Sequence, residues 1–196
     1  MKVINLFSIP VLATQLDYPV DKIETLCQQE RRKNSKGVIK SNIGGWQSDN
    51  IIYHDSSFSF LLDINPICQE FAKDILKIDK DVYVNYAWIN INQKGNINQV
   101  HTHPGCVLSG VYYVKTPEEC GNIEFTHPGL DMMERDWLDI IPESSLNVYN
   151  SQHWWLPAKA NTLYIFPSWI KHLVGPNMSD EERISISFNV CEKRGK

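Results

Sequence analysis

The sequence predicts a mainly β protein with flanking helices, the helices coming first and a β-rich body after them. Two observations carry this. After Asp81, short segments dense in β-branched and aromatic residues follow one another with Gly, Pro and Asn between them. Before Asp81, apolar residues recur at three and four, the spacing of helices. Closely spaced short strands with no helix between them fit a sandwich or barrel and not a parallel α/β sheet.

The elements follow in order. MKVINLFSIPVLATQLDYP is interrupted by Asn5, Ser8 and Pro10 and lacks a cleavage site, so it reads as a first strand and not as a signal peptide. Val20, Ile23, Leu26 and Cys27 give a surface helix over Val20 to Gln29, followed by the charged ERRKNSKG, which ends at a helix-stopping Gly37. Phe58 to Leu76 is again helical, divided in two by Pro66, and both pieces should pack on one face of a sheet. The predicted strands are VYVNYAWININ, LSGVYYV, GNIEF, LNVYN, TLYIF and RISISFNV. Leu130 to His153 is the least regular part of the β region and is the candidate for a lid.

A chain of 196 residues, 42% hydrophobic and 21% charged, with no internal repeat or polar linker, is expected to form one domain over 1–196. The apolar runs are too short to span a bilayer, so no membrane partner is expected. A net charge of -4 offers no basic field and argues against nucleic acid. The five cysteines are odd in number, scattered and without a CxxC pair, which argues against a disulfide framework or a thiolate zinc site and fits a reducing cytoplasm.

His101 and His103 lie in NQVHTHPGC. On an extended chain, residues two apart point to the same face, so both imidazoles can converge on one point. A third histidine, His172, follows a strand stopped by Pro167. Three imidazoles suit zinc, copper, iron or nickel, and three protein ligands leave positions open. By itself, an HxH pair on a strand is a chance pattern in many proteins. The last strand strengthens it: Arg183, Ser185, Ser187 and Asn189 share one face, and Ile184, Ile186 and Phe188 the other. A strand wetted on one side would look the same. Here, however, the polar face carries a guanidinium eleven residues after a candidate ligand, a planar fork suited to a carboxylate, with the Ser185 hydroxyl two residues along.

The run HTHPGCVLSGVYYV, then GNIEF, YIFPSWIKHLVGPN and RISISFNV, with GGWQS upstream, resembles the 2-oxoglutarate/Fe(II)-dependent oxygenase superfamily. The likeness is greatest to a small bacterial and phage group related to the prolyl hydroxylases, and it is spread over residues 44 to 190. The resemblance implies a double-stranded β-helix (jelly-roll) core, Fe(II) as cofactor and 2-oxoglutarate as cosubstrate. It implies an enzyme that couples oxidative decarboxylation of 2-oxoglutarate to hydroxylation of a small-molecule or peptidyl substrate. By position, His101 matches the first ligand of the family's HxD motif, His172 the distal histidine, and Arg183 the residue that pairs with the far carboxylate of 2-oxoglutarate. Tyr112 matches a tyrosine that reaches the same carboxylate, and Asn90 and Asn92 are further candidate contacts. The departure is His103, where most of the superfamily has Asp or Glu. A neutral ligand there leaves the metal one unit more positive.

Two rivals are a cupin-like three-histidine metalloprotein that does not use 2-oxoglutarate, and a non-catalytic sugar- or peptide-binding sandwich. His54 reads as a loop residue, His153 as packed near Trp154 and Trp155, and His127 as lying at a strand end near the mouth of the site. The two adjacent tryptophans are candidates for a substrate entrance.

Overall fold

The computed structural model describes residues 1–52, 56–137 and 139–193. His54 lies outside them. Two antiparallel sheets face each other in a jelly roll. The larger sheet has the order β1-β9-β6-β11-β4-β3, from β1 (Leu12–Gln15), β9 (Thr162–Pro167), β6 (Leu108–Lys115), β11 (Arg183–Glu192), β4 (Val82–Asn92) and β3 (Trp46–Gln47). The smaller has the order β2-β5-β10-β7-β8, from β2 (Asn42–Ile43), β5 (Ile97–His101), β10 (His172–Val174), β7 (Ile123–Thr126) and β8 (His153–Leu156).

Helices cover the outer face of the larger sheet. Helix α1 (Val20–Lys33) runs through the charged segment, because Arg31, Arg32 and Lys33 sit in its last turn, where cations complement the helix dipole. A 3-10 segment (Ser56–Ile64) leads into α2 (Asn65–Glu70), and the change falls where Pro66 occupies the first turn of α2. Ile23, Cys27, Phe58, Leu61 and Cys68 from these helices share one apolar core with Ile89, Ile91, Ile184, Ile186 and Phe188 of the sheet. Among the described residues, no helix is long and apolar enough to cross a membrane.

The two faces of β11 differ because one meets helices and the other meets the second sheet. Ile184, Ile186 and Phe188 are fully buried under the helices. Arg183 and Ser185 are also buried, so this end of the polar face is turned into the barrel, while Ser187 and Asn189 farther along are half-buried. Between the sheets, Val111, Tyr113, Tyr164 and Phe166 of the larger sheet pack on Ile123, Phe125 and Ile170 of the smaller side.

LNVYN does not form a strand. Asn147 accepts from Tyr149 N–H through its side chain at 2.9 Å, and Asn150 Oδ1 accepts from Asn147 N–H at 2.7 Å. These amides satisfy the backbone locally, the familiar competition of Asn with sheet pairing. The preceding stretch holds a short helix, α3 (Leu130–Trp137).

Candidate metal centre

His101 closes β5 and His172 opens β10, and the two stand opposite each other in the ladder. His103 follows two residues later, its backbone N–H donating to the carbonyl of Ser168 at 3.0 Å. The ring centroids lie 4.4 Å (His101 to His172), 4.9 Å (His101 to His103) and 5.1 Å (His103 to His172) apart. One nitrogen from each ring falls within 4.8 Å of the other two, close enough for all three to reach a single ion.

Backbone carbonyls orient two of the rings. His101 Nδ1 lies 2.7 Å from Gln99 O, and His172 Nδ1 lies 3.0 Å from Ile170 O. A carbonyl can only accept, so each Nδ1 carries the proton and each Nε2 keeps its lone pair for a metal. His103 packs against Trp88, ring centroids 5.6 Å apart. Burial holds the rings neutral. It lowers His101 below the ordinary imidazole value, and His172 to about 4 with help from His101. Burial, then His172 and His101, lowers His103 to about 3. A neutral imidazole is the form that binds metal.

The pocket behind the histidines, between the sheets, is lined by Asn90, Asn98, Tyr113, Ser185 and Ser187 among others, and holds about 30 Å³ of free space. Arg183 is almost wholly buried beside it, at 1% exposure. Its Nη1 donates to the carbonyls of Cys120 and, at 3.1 Å, Gly175. Its Nη2 is buried without a partner. No carboxylate among the described residues pairs with this guanidinium, and burial lowers its pKa, against the opposing pull of Tyr113 and Cys120. Gly121 allows the arrangement: its φ is +82°, and a Cβ there would meet Arg183 Nη1 at 2.8 Å.

Of the remaining predicted residues, Ser185 and Asn90 line the pocket, and Asn90 donates to Ser187 Oγ at 3.1 Å while its own oxygen has no partner. Asn92 stands opposite Arg183 in the ladder but turns toward Gly45 instead of lining the pocket. Tyr112 is not at the site. It sits in the helix-covered core on the outer face of β6, edge-on to Tyr18, with its hydroxyl donating to Asn161 Oδ1. Successive side chains of a strand alternate faces, so it is Tyr113 that enters the pocket. The Tyr113 hydroxyl is fully buried, makes no well-formed hydrogen bond, and has only a weak polar contact with the Ile123 backbone. Burial raises its pKa well above the usual phenol range.

Trp88, Asn98 and Ser41 also line the pocket and were not predicted. Trp88 was within reach, since it shares a strand face with Asn90 and Asn92; Asn98 and Ser41 carry no sequence signal. An open cleft of about 550 Å³ also borders His101 and His103, walled by Tyr86, Trp88, Gln47 and Asn189 with Lys40. No residue of Leu130 to His153 lines either space; that segment folds around a separate cleft of about 320 Å³. Trp154 and Trp155 project from β8, 42% and 59% exposed, and line neither space. His153 Nδ1 contacts Glu124 Oε1 at 3.0 Å, and His127 Nδ1 accepts from Gly129 N–H at 2.9 Å, so neither joins the centre.

A family model described as "Putative 2OG-Fe(II) oxygenase" matches residues 86–189, just over half of the chain. No curated protein matches the sequence. Among solved structures, a Pseudomonas putida prolyl-4-hydroxylase aligns at a TM-score of 0.60 with 14% identity, covering 94% of this chain and 93% of that one. A viral collagen prolyl hydroxylase from Paramecium Bursaria Chlorella virus-1, in its 2-oxoglutarate complex, aligns at 0.59 with 14% identity, covering 92% and 94%. HygX from Streptomyces hygroscopicus, with nickel and 2-oxoglutarate bound, aligns at 0.63 with 8% identity, covering 93% and 83%. At these identities the likeness is one of fold.

Proposed function

The chain belongs to the 2OG-Fe(II) oxygenase family, and from that premise we propose that it is a dioxygenase that hydroxylates a small-molecule or peptidyl substrate at a three-histidine iron centre. We take residues 1–196 as one domain, since helices and sheet share one core. Fe(II) bound with 2-oxoglutarate supplies the oxidising chemistry of the family. The residues of this chain do the rest.

His101, His103 and His172 would hold the metal through neutral imidazoles, with two of them already aimed by their backbone hydrogen bonds. Arg183 would take the far carboxylate of 2-oxoglutarate. This is the observation that carries the reading: a guanidinium buried in a barrel without an acidic partner is costly, by several kcal/mol, unless an anion comes to it. The Tyr113 hydroxyl is a second buried donor in want of an acceptor, and Ser185 a third polar contact. The free space of about 30 Å³ is the room of a water or two, so the lining side chains swing aside as the cosubstrate enters. The open cleft beside His101 and His103 would receive the substrate, with Trp88 excluding water from the His103 side.

The test is anaerobic titration of the chain with Fe(II) and 2-oxoglutarate, followed by metal-to-ligand charge-transfer absorbance. Arg183→Ala should keep the metal and lose roughly 2–5 kcal/mol of 2-oxoglutarate affinity, as for a desolvated charge pair. Unchanged cosubstrate affinity would place the carboxylate anchor elsewhere, and a wild-type chain that binds Fe(II) but shows no charge-transfer band with 2-oxoglutarate would be a three-histidine metalloprotein that works without it.

A further inference from the structure

Cys106 ends the His-Pro-Gly-Cys turn that begins at His103, and Cys191 lies near the end of β11. Their sulfurs are 3.7 Å apart and share a hydrogen bond. Both residues are half-buried and so open to small reagents, whereas Cys27, Cys68 and Cys120 are buried. The backbones are already clamped together, Val107 N–H donating to the Val190 carbonyl at 2.8 Å, and the Asn85 amide holds the Cys191 sulfur at 3.7 Å.

We propose that Cys106 and Cys191 form a peroxide-oxidisable dithiol, a disulfide site whose closure displaces the turn that carries His103. A disulfide needs the sulfurs at about 2.05 Å, so they must close by well over an ångström. The 103–106 turn is the part free to move, since Cys191 is held in the ladder opposite Tyr83 of β4 while Gly105, at φ +82°, lies on the turn. The movement reaches His103 through short links. Cys106 N–H donates to the His103 carbonyl at 3.4 Å, Ser168 Oγ donates to the Cys106 carbonyl, and Ser168 O accepts from His103 N–H at 3.0 Å.

The oxidant is a hydroperoxide such as hydrogen peroxide. Cys191, giving up its thiol proton, attacks one peroxide oxygen, forming an S–O bond and breaking O–O; it becomes a sulfenic acid, and the departing hydroxide takes that proton and leaves as the first water. The Cys106 thiol then attacks that sulfur, forming S–S and breaking S–O, and its proton leaves with the hydroxide as the second water. Two thiols lose two electrons and two protons, and the peroxide gains them. The order follows from the surroundings: the Asn85 amide, which donates to the Cys191 sulfur, stands where it can also donate to a sulfenic oxygen, so the first oxidation is assigned to Cys191.

The experiment treats the full chain, purified reduced, with hydrogen peroxide, alkylates what remains free, and maps the peptides by mass. A Cys106 to Cys191 cross-link that dithiothreitol reverses is expected. Cys106→Ser should stop at a Cys191 sulfenic acid that dimedone traps, and Cys191→Ser should leave Cys106 unoxidised at the same dose. Over-oxidised Cys191 without a cross-link, or linkage of another pair, overturns the site. Fe(II) affinity, read by chelator competition, should weaken roughly tenfold on oxidation, the scale of a disturbed ligand support. It should recover with dithiothreitol and not change in treated Cys191→Ala. Equal affinity after cross-linking overturns the coupling. That half rests on His103 as a ligand, and an untreated His103→Ala with wild-type Fe(II) affinity would identify the ligand reading as the failure, while the cross-link is judged by mass alone.

Discussion

Two imidazoles of the centre are fixed by their own chain, His101 by Gln99 and His172 by Ile170, each carbonyl two residues upstream. His101→Ala and His172→Ala should therefore each lose stoichiometric iron, because two remaining neutral ligands compete poorly with buffer; metal analysis after desalting checks this. His103→Asp should still bind iron, since it restores an anionic ligand at the same position, and His103→Ala should bind it more weakly than either. The tyrosine pair separates structure from site. Tyr113→Phe should weaken 2-oxoglutarate binding about tenfold, the value of a hydrogen bond to a charged group. It should cost little stability, because the hydroxyl it removes is buried without a good partner. Tyr112→Phe should do the reverse, losing about 1 kcal/mol with its bond to Asn161 and leaving cosubstrate affinity alone. Calorimetric titration and denaturant unfolding of both variants decide between them.

Among the elements, α1 is tied to the segment entering β11 through Glu182. Arg31 Nη1 lies 2.7 Å and Gln28 Nε2 2.8 Å from its carboxylate. Burial pushes the Glu182 pKa up, but the hydrogen bonds from Arg31, Gln28 and Gln93 outweigh it and hold the carboxyl below its ordinary value of 4.5. A depressed folded pKa means stability that is present above the ordinary value and lost as pH falls through the folded one. The pair is partly solvent-screened, so Glu182→Gln should cost at most about 1 kcal/mol near neutral pH. The difference from wild type should vanish in acid, a trend that urea unfolding across pH can follow. The tie matters because Arg183 is the next residue, and the strand that α1 anchors is the one that delivers the guanidinium to the pocket.

For the whole molecule, a buried guanidinium and three converging imidazoles are arrangements that ligands should stabilise. Metal and 2-oxoglutarate bind the folded chain, so each should raise Tm, by about 2.7 kcal/mol of stability for a ligand at a hundredfold its Kd. In Arg183→Met the increment from 2-oxoglutarate should disappear while that from Ni(II) or Fe(II) persists; thermal unfolding with each ligand alone and together tests this. Much of the molecule was legible beforehand. Density in β-branched and aromatic residues marked β4, β6, β9 and β11, with period-2 alternation in β11, and Pro66 marked the break between the 3-10 segment and α2. The HxH spacing and the polar face of β11 marked His101, His103, Arg183 and Ser185. These are local signals, set by chain geometry and side-chain type within a few residues. What the tertiary structure decided is which side of each strand faces what. In VYYV both parities are apolar or aromatic, so periodicity cannot choose between Tyr112 and Tyr113, and only the helices on one side and the second sheet on the other make the choice. The approach of Cys106 to Cys191 and the convergence of Ser41 and Asn98 on the pocket likewise join residues far apart in sequence, where no local pattern can report the distance between them.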